Sequence, residues 1–147
     1  MRFMLLLKAT ADYEAGREPA PAIVAALAKY NESMAKAGVL LDMAGLRPGP
    51  ETARVRILGN RRSVTDGPFA ESKELIAGYW MIQVKSQAEA IEWARRFPSP
   101  DLQEELEIEV RQVYDAAECP TQRLGMQRTA TEHTESAEGR TTENPPQ

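Results

Sequence analysis

The densest chemistry in the chain lies in Thr65-Asp66-Gly67-Pro68-Phe69-Ala70-Glu71-Ser72-Lys73-Glu74, which gathers carboxylates, hydroxyls, an ammonium and an aromatic ring. Gly67 before Pro68 is held out of the helical region and Pro68 contributes no N–H. The segment therefore reads as a stiff loop delivering Asp66 and Phe69. A carboxylate so placed is a candidate general acid or base, once burial or a neighbouring charge raises its pKa towards neutrality. The competing reading is an Asx turn, in which Asp66 caps its own backbone. Phe69 is either a stacking platform for a ligand or a plug in a core or interface. Lys73, Arg54, Arg56 and Lys8 are candidate holders of an anionic ligand, and Tyr79 is a candidate proton donor or an interface residue.

Several chemistries are excluded by composition. The 147 residues hold one cysteine, Cys119, and one histidine, His133. An internal disulfide, a Cys-rich metal site and a site with two imidazoles from one chain are thereby ruled out. Metal binding is left to carboxylates such as Asp66 and Glu71, without the spacing of a divalent-ion loop, so no metal is expected. Gly45, Gly49 and Gly59 lie too far apart to form one phosphate-cradling nest, and no cofactor is expected. Eighteen Lys and Arg against twenty-two Asp and Glu leave a net charge of −4, which disfavours direct nucleic-acid binding. The apolar run at the N-terminus stops at Lys8 without a cleavage site. Nothing else approaches the roughly 20 apolar residues that span a bilayer, so a cytoplasmic, membrane-free protein is expected.

These side chains need a scaffold. Phe3 to Leu7 is an unbroken apolar run, the pattern of a buried strand. Residues 9–19 read as a loop containing Gly16 and Pro19. Ile23, Leu27, Tyr30, Met34 and Ala37 form one apolar stripe on a helix over about 21–37, with Pro21 in its first turn and Gly38 as its left-handed stop. Residues 39–46 read as a strand, and residues 54–57 and 62–65 as a hairpin turning at Gly59-Asn60. Residues 76–84 form a long strand with Trp80, Ile82 and Val84 on one face and Tyr79, Met81 and Gln83 on the other. Ser86 and Glu89 make a capping box for a second helix, with Ala90, Ile91, Ala94 and Phe97 on its apolar side. Leu106, Ile108 and Val110 alternate in a closing strand. Residues 120–147 are polar and read as a disordered tail containing His133, so the domain is taken as 1–119.

The order β-α-β, inserted hairpin, β-α-β predicts an α+β fold, a ferredoxin-like sandwich with the first and fifth strands central. Two helices cover one face of such a sheet. With Phe3, Leu5 and Leu7 towards the helices, Met4 and Leu6 point the other way beside Tyr79 and Met81. A second copy is the simplest cover for that face, so a homodimer with a cavity between diverging sheets is expected.

The ten-residue motif resembles the DGPF (DGPFAETKE) subgroup of the YCII-related proteins, with Ser72 in place of the common Thr. The apolar opening strand, Gly38-Val39-Leu40, Gly78-Tyr79, the 90–94 stretch and Glu109-Val110-Arg111 extend the resemblance over roughly residues 1–115. It implies a ferredoxin-like protomer pairing into a dimeric α+β barrel, and an association with sigma factors. Relatives outside the subgroup carry a His–Asp pair proposed as catalytic. The domain here holds no histidine, and Asp66 is not the aspartate of that pair. Two functions are therefore carried forward. One is a cofactor-independent enzyme acting on a small molecule at a dimer-interface pocket, with Asp66 catalytic and Phe69, Lys73, Tyr79 and Arg54 binding the ligand. The other is a ligand-sensing or protein-interaction module linked to sigma-factor-dependent transcription.

Overall fold

The computed structural model describes residues 1–69, 74–99, 105–115 and 117–118. Glu71, Ser72, Lys73, Cys119 and the 120–147 stretch with His133 lie outside the described residues. Within the unit Met1–Asp115, the apolar run at the N-terminus becomes β1 (Arg2–Lys8), and the 76–84 segment becomes β5 (Ile76–Gln83). These two strands are central in a four-stranded sheet, flanked by β2 (Leu40–Gly45) and β6 (Ile108–Val113) in the order β2-β5-β1-β6. All three ladders are antiparallel. The fold is α+β, and its strand order is compatible with a ferredoxin-like arrangement.

The long helix, α2 (Pro21–Lys36), starts with Pro21 at its first position, where a missing N–H costs nothing, and stops at Gly38 with φ +70°. Ser86 Oγ accepts from the Glu89 N–H at 3.1 Å to open α3 (Gln87–Arg95), while the Glu89 carboxylate accepts from the Lys85 N–H at 2.9 Å. Both predicted starts are present. The 9–19 segment departs from the expected loop: it contains one helical turn, α1 (Ala11–Glu14), capped by Thr10 Oγ1 accepting from the Tyr13 N–H. A single turn is too short for apolar periodicity to reveal.

Phe3, Leu5, Met34 and Ile82 are wholly buried between the sheet and the helices, each contributing about 1.5–3 kcal/mol. Tyr30, Trp80 and Phe97 meet edge to face at 5.7–5.9 Å between ring centres, a geometry worth about 0.5–1.5 kcal/mol per pair. The Tyr30 hydroxyl donates to the Trp93 carbonyl at 2.8 Å, and burial pushes its pKa up to about 12. On α3 the buried side runs through Ala90 and Trp93, with Ala94 half-buried beside them, whereas Ile91 is exposed. Ile91 was expected inside; the larger indole at Trp93 takes that place.

The faces divide as the alternation predicts. Phe3, Leu5, Trp80 and Ile82 are buried beneath the helices, and Met4, Leu6, Tyr79 and Met81 on the other face are only half-buried. Leu6 is the register partner of Tyr79, and Met4 of Met81. A separate two-stranded sheet, β3 (Ala53–Leu58) and β4 (Arg61–Asp66), pairs Val55 with Val64 and Arg54 with Thr65. Every residue of these two strands is exposed, with Val55, Ile57 and Val64 each above half.

Candidate functional site

Register places Gly45 of β2 opposite Gly78 of β5, where a Cβ on Gly78 would collide with the Ala44 carbonyl oxygen, so glycine there permits the close approach of the two strands. A Cβ built on Gly45 would meet nothing within 4 Å. The unfilled space is a cavity of about 650 Å³, a volume in the range of small-molecule sites. Ile23, Leu27 and Asn31, at i, i+4 and i+8 of α2, line one side. Met43, Gly45, Gly78 and Trp80 line the other, and Leu7, Phe97 and Leu106 complete an apolar interior. The segment from Thr10 to Ala20 closes one end.

Of the ionisable groups at the cavity, Lys8, Asp12, Tyr13, Arg17 and Tyr79 are engaged with partners, while Glu18 makes no ion pair or side-chain hydrogen bond among the described residues. Arg17 pairs with Asp12 at 2.6 Å, and Lys8 with Glu109 at 3.1 Å. The Tyr13 hydroxyl reaches the carbonyls of Leu46 and, at 3.2 Å, Ala77. Its single proton serves one of them at a time. Desolvation, and secondarily the charge of Glu14, raises the Tyr13 pKa above its ordinary value. The Glu14 carboxylate in turn accepts from the Gly49 N–H at 2.7 Å. Tyr13 and Glu14 therefore tie the end wall to Leu46 just after β2, to Ala77 of β5 and to the 3₁₀ turn Gly49–Glu51. Deeper inside, the Trp80 indole N–H donates to Asn31 Oδ1 at 2.8 Å.

The described motif residues lie elsewhere. Asp66 ends β4 opposite Ala53, is exposed, and does not line the cavity. The Gly67 N–H donates to the Thr52 carbonyl at 2.8 Å, and any Cβ on Gly67 would collide with the Gly49 carbonyl oxygen. A Cβ on Gly49 would collide with the Glu14 carboxylate. Asp66-Gly67-Pro68 is thus seated on the turn that holds α1. The Arg54 guanidinium lies 3.8 Å from the centre of the Phe69 ring, a cation–π contact that engages two expected ligand-binding groups with each other. Tyr79 borders the cavity, but its hydroxyl donates to Asp42 Oδ2 at 2.8 Å, the main cause of its raised pKa.

Sequence reasoning named Arg54 and Phe69 as ligand-binding candidates without placing them in contact, and it missed Asn31, Tyr13, Met43 and the Gly45–Gly78 pair. Asn31 carried a usable signal: it is an amide on the same helical face as Ile23 and Leu27. The two glycines carried none, because their pairing depends on register across strands far apart in the chain.

The YCII-related domain matches residues 1–116. This chain belongs to the YCII-related family. It is also 36% identical over 69 residues to an uncharacterised protein of Rhizobium meliloti (strain 1021), covering 47% of this chain and 56% of that relative. The match therefore spans little more than half of the relative's length. In this YCII-related domain no group of three or more His, Cys, Asp or Glu is placed to hold a metal among the described residues. No helix among them is long and apolar enough to cross a membrane. As a site, the cavity offers apolar and aromatic walls, one amide within reach, and ion pairs already made at its edges. Such an arrangement can bind and orient a small molecule.

Proposed function

We propose that this YCII-related protein, of the DGPF subgroup, binds a small molecule in the cavity beneath the first half of α2. The observation that carries the reading is the cavity itself, where Gly45 leaves open the space a side chain would fill. The predominantly apolar and aromatic lining, with Lys8 held by Glu109, favours binding and sensing over acid–base catalysis, for which Glu18 is the cavity carboxylate without a partner among the described residues. A link to sigma-factor-dependent transcription, implied by the motif's resemblance, would supply the output of such a sensor. The enzyme reading keeps Asp66 as its acid or base, with Arg54, Phe69, Lys73 and Tyr79 as its ligand contacts.

The protomer is read as ferredoxin-like, and two protomers as joining through the face of Met4, Leu6, Tyr79 and Met81 into a dimeric α+β barrel. The half-buried state of these apolar side chains in one chain supports this. A Met81→Glu substitution places a charge on that face, and the solution mass should fall from two chains to one. A single-chain mass for the unsubstituted protein at micromolar concentration overturns the pairing.

The cavity is tested by a thermal-shift screen of small apolar compounds. A ligand present at about 100 times its Kd stabilises the folded state by about 2.7 kcal/mol. Gly45→Leu, which puts a side chain into open space, should abolish that shift while leaving the unliganded melting temperature little changed. Asp66→Ala should retain the shift. Ligand stabilisation undiminished in Gly45→Leu removes the cavity as the binding site.

A further inference from the structure

Within the cavity one side chain is polarised by its neighbour. An indole N–H can only donate, so the atom of Asn31 that meets Trp80 Nε1 at 2.8 Å is the carbonyl oxygen. The orientation of the amide is therefore fixed by chemistry. Its Nδ2, with two N–H donors, makes no hydrogen bond among the described residues, on a side chain that lines the cavity. Trp80 and Phe97, which meet edge to face at 5.7 Å, form part of the same wall. The cations bordering the space, Lys8 and Arg17, are each held by a carboxylate, so an entering anion would have to displace one.

We infer that the ligand is a neutral, largely apolar molecule with a flat or aromatic face and a carbonyl-type oxygen, which accepts from Asn31 Nδ2. The inference rests on the cavity being the binding site and adds the class of molecule that fits it. The aromatic wall supplies contact area at low entropic cost, and the amide supplies orientation. A polar donor left unsatisfied on ligand binding costs more than a hydrogen bond gains, so the same skeleton without its oxygen is discriminated against. Trp80 acts here as a positioning residue: it turns the Asn31 amide so that donors, rather than the acceptor, remain for the ligand.

The test uses the full-length protein and three probes of similar shape: benzophenone, diphenylmethane and diphenylacetate. Binding is followed by titration calorimetry and by the Asn31 side-chain amide resonance. Benzophenone should bind about tenfold more tightly than diphenylmethane, the value of one hydrogen bond to a desolvated amide, and should shift the Asn31 amide signal. Diphenylacetate should bind more weakly than benzophenone. Asn31→Asp keeps an oxygen for the indole but removes both donors, and the preference for benzophenone should fall below about twofold. Equal affinity of benzophenone and diphenylmethane for the unsubstituted protein overturns the inference and leaves the cavity standing. Tighter binding of diphenylacetate overturns the neutral class. Should Asn31→Asp fail to fold, an amide resonance unmoved by bound benzophenone overturns the inference on its own. Failure of all three probes to bind, or binding that Gly45→Leu leaves intact, overturns the cavity reading and this one with it.

Discussion

The hairpin with its motif and the space beneath α2 are built on opposite plans. In the hairpin, distinctive residues crowd together and use their chemistry on one another: Arg54 covers Phe69, and Gly67 is pressed against the turn at Gly49. Beneath α2, unremarkable residues stand apart, and Gly45 leaves room that no side chain fills. Among the described residues, Asp66, Gly67, Pro68 and Phe69 of the motif do not line the cavity. The motif's seat on Gly49, and the hydrogen bond from Gly49 to Glu14, make it a buttress for the wall that α1 provides.

The sharpest way to break this comparison is Gly67→Ala. A methyl group there collides with the Gly49 carbonyl oxygen, and backbone, unlike a flexible side chain, cannot swing aside. We expect a loss of about 2–4 kcal/mol in denaturant unfolding, with faster amide exchange in β3, β4 and α1. A stable variant with unchanged exchange would show that the motif is not a structural seat.

Next in size is the titration of Tyr30, on the closely packed half of α2. Its proton is lost near pH 10 in the unfolded chain and only near 12 in the folded one. Between these values the native state binds more protons, so stability is intact below pH 10 and falls as pH rises towards 12. The fall is about 2–3 kcal/mol. Tyr13 and Tyr79, also raised, contribute with the same sign. Tyr30→Phe should flatten the decline and cost about 1 kcal/mol at neutral pH through the lost bond to the Trp93 carbonyl. An identical alkaline decline in Tyr30→Phe would remove Tyr30 as its source.

The smallest effect is expected from Asp66→Ala. Asp66 is exposed and stands away from the cavity, so unfolding free energy should change by less than about 0.5 kcal/mol. Ligand-induced stabilisation should be unchanged. A lost ligand response would return Asp66 to the site and restore the enzyme reading.

Much of the scaffold was legible because it is written in local pattern. The alternation around Trp80 and Ile82 separated the two faces of β5, Gly38 marked the end of α2, and Ser86 with Glu89 marked the start of α3. Each signal lies within a few residues of the structure it specifies. The misreadings have equally local causes. Thr10 capping a single turn leaves no periodicity to detect, and Ile91 was assigned inward from hydrophobicity when the bulkier Trp93 held the buried position. The candidate site was barely legible, since the Asn31 amide is oriented only by an indole from a strand 49 residues away.

The chain on its own determined which segments become strands and helices, which side chains seek the interior, and which family it belongs to. These follow from backbone preference and the aversion of apolar groups to water, both of which act over short stretches. Tertiary structure alone decided that Gly45 would face Gly78, that Arg54 would cover Phe69, and that the Asn31 amide would turn its donors away from Trp80. Such outcomes depend on register and on contacts between distant segments, and those exist only once the sheet has closed.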